Sequence, residues 1–185
     1  MLAFTEGRIE THVGRDPNDR LRQAVLPPGK GARYAATNYK LMATLDGGNA
    51  SVLRFALETG RTHQIRVHAK HLGHPLVGDA TYNGTRICCG PQNKRRQRLY
   101  NDIFENILPR PALHAASLAL DHPVTQERIM TRSALPADMV QVIEMLGGDA
   151  AAIDEQLMGG DPHQKQTNVA ASRFDETGGV VVLQR

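Results

Sequence analysis

The stretch LETGRTHQIRVHAKHLGHPLVGD, residues 57–79, concentrates side chains that bind metal ions or anions. Of its four histidines, His63 and His68 are five residues apart, so on a helix they diverge by about 140° and cannot share a ligand sphere. His68 and His71 could share one, but no carboxylate or cysteine stands at ligand spacing and no His-Glu-x-x-His pattern occurs. We therefore expect no metal, and we expect these histidines to serve as hydrogen-bonding partners.

The beginning of this stretch, ETGRTHQIR, favours contact with an anion. Gly60 suits a tight turn, and Arg61 and Thr62 then open a predicted helix with Thr62 as its N-cap. Free backbone N–H groups and the helix dipole favour negative charge there. Arg66 follows four residues after Thr62, on the same side. Two arginines at such a place can hold phosphates or neutralise a buried carboxylate, and the pattern leaves both readings open.

Other common sites are not indicated. The glycines of GGN (47–49) and GKGAR (29–33) lack Walker or dinucleotide spacing, so we expect no nucleotide cofactor. No serine lies in a Gly-x-Ser-x-Gly elbow. The two cysteines, Cys88 and Cys89, are adjacent and cannot cross-link distant segments, which indicates a reducing, intracellular setting.

The elements that would position these residues alternate between strand and helix patterns. Residues 51–58 place Leu53, Phe55 and Leu57 on one face, and a Gly-Gly turn joins them to the preceding strand, so the pair predicts an antiparallel hairpin. The predicted strands are 9–13, 36–45, 51–58 and 112–123. The predicted helices are 62–72, with Gly73 just after its end, and 136–146.

Two regions lack clear periodicity. Residues 86–111 are predicted to form an irregular insertion with a basic cluster at Lys94, Arg95, Arg96 and Arg98. Residues 147–185 are rich in Gly, Gln and Asp, and we predict a disordered tail after a domain of residues 1–146.

Charge is distributed unevenly along the chain. The net charge is +3, but residues 1–100 hold 16 Lys and Arg against 7 Asp and Glu, whereas residues 101–185 hold 6 against 12. A basic N-terminal half is typical of a protein that binds a polyanion. The alternative interpretation is ordinary solvated surface charge without a binding role. No run of eighteen apolar residues occurs and the first residues lack a secretory h-region, so we expect no membrane partner.

The segment LETGRTHQIRVHAKHLGHPLVGDATYNG closely resembles the third sequence motif of the RluA-type family of RNA pseudouridine synthases. Flanking segments resemble the same family in the same order, from about residue 7 to residue 146. They are GRIETHVGRDPNDRLRQAV, TNYKLM, ALHAASLALDHPVTQERI and LPADM.

The resemblance implies an α+β fold, with a twisted, mainly antiparallel mixed sheet and flanking helices, of which the N-terminal part is missing. It implies isomerisation of a uridine in ribosomal or transfer RNA without metal or organic cofactor. In the family an arginine of this motif pairs with the catalytic aspartate. The matching position is Arg66, with Ile65 as the apolar wall near the base. The resemblance further implies a cleft lining or RNA-binding role for Arg61, Thr62, His63, Gln64, Arg15, Arg20 and Arg22.

The family's His-Arg-Leu-Asp motif, which carries the catalytic aspartate, has no match in residues 1–185. Asp79 is expected to cap or to bond backbone rather than to act as nucleophile. We therefore expect Arg66 to face a carboxylate that this chain does not supply, and we expect the chain by itself to be inactive.

Three hypotheses follow: a synthase with an incomplete catalytic domain, a catalytically dead RNA-binding module, and an unrelated metal-dependent enzyme using the histidines. The first is preferred. It implies RNA as partner, a monomer, and a place in the cytoplasm or, in a eukaryote, an organelle or the nucleus.

Overall fold

Antiparallel strands form one large sheet in the computed structural model, which describes residues 5–29, 31–88, 90–158 and 178–184. The strands are β1 (Glu6–Arg15), β2 (Gln23–Val25), β3 (Arg33–Leu45), β4 (Ala50–Leu57), β5 (Leu113–Asp121), β6 (Arg128–Arg132) and β7 (Gly178–Gln184). Within these ranges the sheet has seven strands in the order β2-β1-β3-β4-β7-β5-β6, each antiparallel to its neighbours. The expected antiparallel α+β sheet is confirmed.

Helices flank this sheet. They are α1 (Gln64–His71), α2 (Lys94–Asp102), α3 (Ala137–Met145) and α4 (Ala150–Met158), with a π-helical turn at Ile103–Ile107. Within the described ranges, none of them combines the length and the hydropathy needed to cross a lipid bilayer.

The predicted hairpin is β3 and β4, joined by a short 3-10 turn at Asp46–Gly48. Asp46, Gly47 and Gly48 all have positive φ, at 50°, 61° and 93°, which explains why two glycines stand there. Leu53 is fully buried on the predicted apolar face, but Val52 on the opposite face is equally buried. The sheet is therefore covered on both sides, which the alternation in residues 51–58 did not reveal.

Buried hydrophobic clusters lie on both faces of the sheet. On one face, Val52 and Val182 pack with the buried stripe of α3, including Met139 and Val142. On the other face, the strand side chains pack against α1. That second core comprises Ile9, Tyr39, Leu53, Phe55, Ile65, Ala69, Leu76 and Leu183. The helix that carries the central motif is thus held on the face opposite to α3.

The expectation of a disordered tail over residues 147–185 is wrong for two segments. Residues Ala150–Met158 form α4, with Ile153 and Leu157 only 2% and 3% exposed. Residues Gly178–Gln184 form β7 in the centre of the sheet, where both Val182 and Leu183 are fully buried. A short apolar run has no stability alone, but here β4 and β5 satisfy its backbone hydrogen bonds, and the hydrophobic clusters on the two faces of the sheet bury Val182 and Leu183. Residues 159–177 lie outside the described ranges, and the predicted domain end at 146 stays a prediction.

The expectation of an irregular insertion over residues 86–111 is wrong for α2 and the turn that follows it. Tyr100, Ile103 and Leu108 from this region are fully buried in the core beside α3. Arg96 belongs to the predicted basic cluster but is only 7% exposed, because its Nε donates a 2.7 Å hydrogen bond to Asp46. Because of the run of basic residues, the helical spacing of the apolar residues that follow was not recognised in the sequence.

Candidate active site

The turn before α1 differs from its predicted form. The helix begins at Gln64, and the N-cap is His63 in the left-handed conformation, with φ 57° and ψ 19°. Thr62 is exposed and is not the N-cap, so that expectation is wrong. The predicted C-terminal end is confirmed, since Gly73 has φ 81° and its N–H bonds to the Lys70 carbonyl. A strained non-glycine residue next to a cavity is a common feature of functional sites.

Gln64 fixes this turn to the sheet. Its side chain is buried, and Oε1 accepts hydrogen bonds of 2.9 Å from the Arg61 N–H and from the Thr59 hydroxyl. Its Nε2 donates to the Ala36 carbonyl at 3.0 Å and to the Thr37 hydroxyl at 2.9 Å. All four hydrogen-bonding positions of the amide are therefore used, and Gln64 acts as a support rather than as a free ligand.

Arg66 faces a carboxylate of this chain, namely Asp79. Its Nε donates to Asp79 Oδ2 at 2.7 Å and its Nη2 donates to Oδ1 at 2.8 Å. Asp79 is fully buried, and its carboxylate raises the pKa of Arg66 further above its ordinary value. Asp79 also accepts from the Tyr82 N–H at 3.2 Å as the cap of a 3-10 turn, which confirms its predicted capping role. The pairing of Arg66 with Asp79 was not expected from the sequence, and the absence of the catalytic carboxylate from this chain stays a prediction.

Tyr82 connects several parts of the site. Its hydroxyl lies 3.0 Å from His63 Nδ1 and accepts a 2.9 Å hydrogen bond from the Gln23 N–H. The guanidinium of Arg66 lies over its ring, 4.9 Å from the centroid. Burial and the charge of Arg66 lower the pKa of His63, and burial raises the pKa of Tyr82. Both side chains are thus held in their neutral forms.

The basic loop after β1 contributes unequally. Arg22 forms an ion pair with Asp19 at 3.1 Å. Its positive charge also acts to lower the pKa of the Tyr82 hydroxyl, which opposes the larger effect of burial. Arg15 and Arg20 are exposed and do not line the cavity described below. None of the three predicted RNA-binding arginines lines the cavity, and of these three Arg22 is the one whose charge acts on a residue of the central motif, Tyr82.

His68 bonds across the interface between α1 and the sheet. It is fully buried, with Nε2 2.8 Å from the Thr11 hydroxyl and Nδ1 2.9 Å from the Thr37 hydroxyl. Burial, with a smaller effect of His71, lowers its pKa to about 4. Both ring nitrogens of the neutral imidazole are satisfied, which is the hydrogen-bonding role predicted for it.

A cavity of about 490 Å³ opens beside the start of α1. Its apolar walls come from Ile65 and from the ends of β4 and β5, and three arginines are among its polar lining residues. The lining residues are Leu57, Arg61, His63, Gln64, Ile65, Arg66, Arg110, Pro111 and Leu113. The volume lies within the range of about 300 to 1,000 Å³ that is usual for small-molecule sites. Five of the six predicted motif residues meet here, and Thr62 does not line the cavity.

Arg110 is a lining residue that sequence reasoning missed. Its Nε and Nη2 donate to Asp138 at 2.8 and 2.7 Å, and its Nη1 donates to the Pro111 and Leu113 carbonyls at 3.2 Å each. The available signal was an arginine two residues before a predicted strand and an acidic residue in the first turn of the predicted helix 136–146. Neither residue stands near the central motif in the sequence, so nothing in the sequence linked them to it.

Comparison with known proteins agrees with this geometry. Residues 2–71 match the family model described as RNA pseudouridylate synthase. The chain is 42% identical over 148 residues to RNA pseudouridine synthase 2, chloroplastic, of Arabidopsis thaliana, a match covering 76% of this chain and 34% of that protein. It is 40% identical over 154 residues to the ribosomal large subunit pseudouridine synthase D of Haemophilus ducreyi, covering 82% of this chain and 43% of the relative.

A solved structure shares the fold. The human RNA pseudouridylate synthase domain containing 1 superposes with a TM-score of 0.52 at 23% identity, over 86% of this chain and 62% of that one. The chain spans 34% and 43% of the two curated relatives named above. On the family-model match and on the two relatives, whose matches cover 76% and 82% of its length, the chain belongs to the RluA-type family of RNA pseudouridine synthases.

Proposed function

We propose that the protein acts in the isomerisation of uridine to pseudouridine in ribosomal or transfer RNA. In this reaction the bond between N1 of uracil and C1′ of ribose breaks, and a bond between C5 and C1′ replaces it. The proton on C5 is lost and N1 gains one, so no oxidant or reductant is consumed. The observation that carries the proposal is the cavity that the family's motif builds, with Ile65 and Arg66 side by side in its wall.

The cavity suits a base removed from its stack. A planar base needs apolar surface on its faces and few, fixed polar groups at its edge. Ile65, Leu57 and Leu113 supply the apolar surface, and the neutral His63 adds a ring without adding charge. Ile65 is 8% exposed and also packs into the core, so its position is fixed before any ligand enters.

Arg66 is suited to hold a second carboxylate. Its Nε and Nη2 are occupied by Asp79, and within the described residues its Nη1 has no recorded hydrogen bond. A guanidinium fixed in this way presents its remaining N–H groups in a set direction. We infer that these groups orient the nucleophilic carboxylate that the family uses. Asp79 is not that nucleophile, since it is fully buried and both its oxygens accept hydrogen bonds.

Basic residues outside the cavity would hold the RNA backbone. Arg15 and Arg20 are exposed on and after β1, and Lys94, Arg95 and Arg98 are exposed on α2. Arg96 is paired with Asp46 and buried, so it belongs to the scaffold. Backbone contacts of this kind supply affinity without sequence information. Neutralising Lys94, Arg95 and Arg98 together should therefore flatten the salt dependence of RNA binding.

We infer further that the 185-residue chain alone forms no pseudouridine, because no segment of it matches the family's His-Arg-Leu-Asp motif. Purified chain would be incubated with cellular RNA, and pseudouridine would be mapped before and after. We expect binding without a new modified position. A newly modified uridine would overturn this inference.

The function of the whole protein is tested in cells. Disrupting the gene should remove pseudouridine from at least one position of ribosomal or transfer RNA. Reintroducing the gene should restore that position, while an Arg66→Gln version should not, although Arg128→Gln on the remote strand β6 should. An unchanged pseudouridine map after disruption would contradict the proposed function.

A further inference from the structure

The three arginines that line the cavity differ in their charge partners. Arg66 is paired with the buried carboxylate of Asp79, at 2.7 Å. Arg110 is paired with Asp138, also at 2.7 Å. Each of these two guanidinium groups meets its carboxylate through two hydrogen bonds, which is the strongest arrangement for such a pair. Two of the three positive charges in the cavity wall are therefore neutralised by the protein itself.

Arg61 is not neutralised in this way. Its Nε donates a 2.9 Å hydrogen bond to the Tyr34 carbonyl oxygen, which is a neutral acceptor. In the part of the chain that the structure describes, its two terminal amino groups have no recorded hydrogen bond or ion pair. The side chain is only partly buried, so these groups can reach a ligand at the mouth of the cavity.

The position of Arg61 is nevertheless fixed. Its backbone N–H donates to Gln64 Oε1 at 2.9 Å, and its carbonyl accepts from the Gln64 N–H at 3.0 Å. Together with the bond to Tyr34, these contacts hold both the backbone and the first part of the guanidinium. A charge that is already oriented loses little conformational entropy when it binds a partner. By contrast, the exposed Arg20 has no comparable recorded contacts with the residues that the structure describes.

We propose that Arg61 binds the RNA phosphate next to the nucleotide whose base enters the cavity. Different parts of the cavity then have different roles. The apolar wall contacts the base, and Arg66 and Arg110, whose charges are neutralised by aspartates of the protein, support the wall. Arg61 supplies the net positive charge that binds one phosphate. A guanidinium with two free amino groups matches two phosphate oxygens. This inference rests on the proposed RNA-directed function and assigns the phosphate subsite within it.

A double-mutant cycle tests the contact directly. Binding would be measured for a short single-stranded RNA with one uridine, and for versions in which the phosphate on the 5′ or 3′ side of that uridine is an uncharged methylphosphonate. The proteins would be the full wild-type chain, Arg61→Gln, and Arg128→Gln as a control with the same change of net charge. Urea denaturation would confirm that both variants fold.

For Arg61→Gln we expect binding about tenfold weaker at low salt, because one charge-assisted hydrogen-bond pair is lost. The slope of log K against log salt should fall by about 0.7, the value for one phosphate of a single strand. Replacing one of the two phosphates by methylphosphonate should weaken RNA binding by wild type and by Arg128→Gln. The same replacement should not weaken RNA binding by Arg61→Gln any further.

Two results would overturn the inference, and they differ in their meaning. If wild type binds the RNA but Arg61→Gln behaves like Arg128→Gln with every probe, Arg61 binds no phosphate there and the proposed function stands. If wild type binds none of the RNA probes, the RNA-directed function and the phosphate subsite fail together.

Discussion

The buried carboxylate of Asp79 accepts two hydrogen bonds from the guanidinium of Arg66, at 2.7 and 2.8 Å, and a third from the Tyr82 N–H at 3.2 Å. Asp79 is fully buried, whereas the side chain of Arg66 is 16% exposed. The family's motif arginine is thus positioned by an acidic residue of its own motif, thirteen residues further along the chain.

Asp79→Asn should destabilise the protein by about 3 kcal/mol, because it leaves the Arg66 charge partly buried without a counter-charge. Urea denaturation at neutral pH measures the loss. Asp121→Asn is the matched control: it breaks the exposed pair with Arg128, which should cost no more than about 1 kcal/mol. Equal losses of stability for the two substitutions would show that the buried pair contributes no more to stability than the exposed pair.

Stability should fall as pH decreases from about 6.5 to about 4, in part because of His68. Burial lowers its pKa from 6.5 to about 4, so in this window the unfolded chain binds a proton that the folded chain does not. One such proton changes the free energy of unfolding by up to about 1.4 kcal/mol per pH unit. Below pH 4 both states are protonated and the effect stops growing.

The contribution of His68 is isolated by comparing wild type with His68→Gln. Urea denaturation at a series of pH values should give a shallower loss of stability for the variant between pH 6.5 and 4, even though the variant is less stable at pH 7. His63 titrates in the same direction but is present in both proteins, so it cancels. Identical pH slopes would mean that His68 does not carry the effect.

Tyr82→Phe should release the backbone at Gln23 while keeping the aromatic ring under Arg66. The hydroxyl accepts the Gln23 N–H at 2.9 Å, and losing one partner of a partly buried hydrogen bond costs about 1 to 2 kcal/mol. Hydrogen exchange at the Gln23 amide should accelerate. Tyr39→Phe serves as control, since within the described residues the Tyr39 hydroxyl has no recorded hydrogen bond. An unchanged exchange rate at the Gln23 amide would mean that the Tyr82 hydroxyl does not hold this part of the backbone.

Gly84→Ala should prevent stable folding around Asp79. A Cβ at position 84 would overlap the Leu76 carbonyl oxygen and would also press on the Asp79 N–H at 2.8 Å. Gly60→Ala provides the comparison, because a Cβ there meets nothing within 4 Å. Thermal denaturation should show a large loss for the first variant and a shift of less than about 1 kcal/mol for the second. A stable Gly84→Ala protein would contradict this packing.

Leu183→Ala should cost about 2 to 5 kcal/mol if β7 lies in the sheet centre, because a fully buried leucine would leave a cavity. Leu118→Ala, at a side chain that is 49% exposed, should cost much less. Urea denaturation of both variants decides the matter. Equal and small losses of stability for the two variants would indicate that residues 178–184 are disordered.

Local patterns were enough for several elements. The hairpin β3–β4, the end of helix α1 before Gly73, and helix α3 follow from apolar spacing and turn residues that depend on neighbours in the chain. The predicted bounds of α1 begin too early because the turn at His63 is set by Gln64, whose side chain bonds to β3. Strand β7 and helix α2 were missed because their apolar residues gain stability only from distant partners.

The family, the cavity-lining motif and the basic character of the N-terminal half could be identified from the sequence, since these depend on residue identity and short-range spacing. The pairing of charges could be identified from the folded chain alone. Arg66 meets Asp79 and Arg110 meets Asp138 across thirteen and twenty-eight residues, whereas among the described residues the guanidinium of Arg61 is recorded as bonding to a backbone carbonyl alone. An ion pair depends on distances of a few ångströms between side chains, and folding sets those distances independently of their separation along the chain.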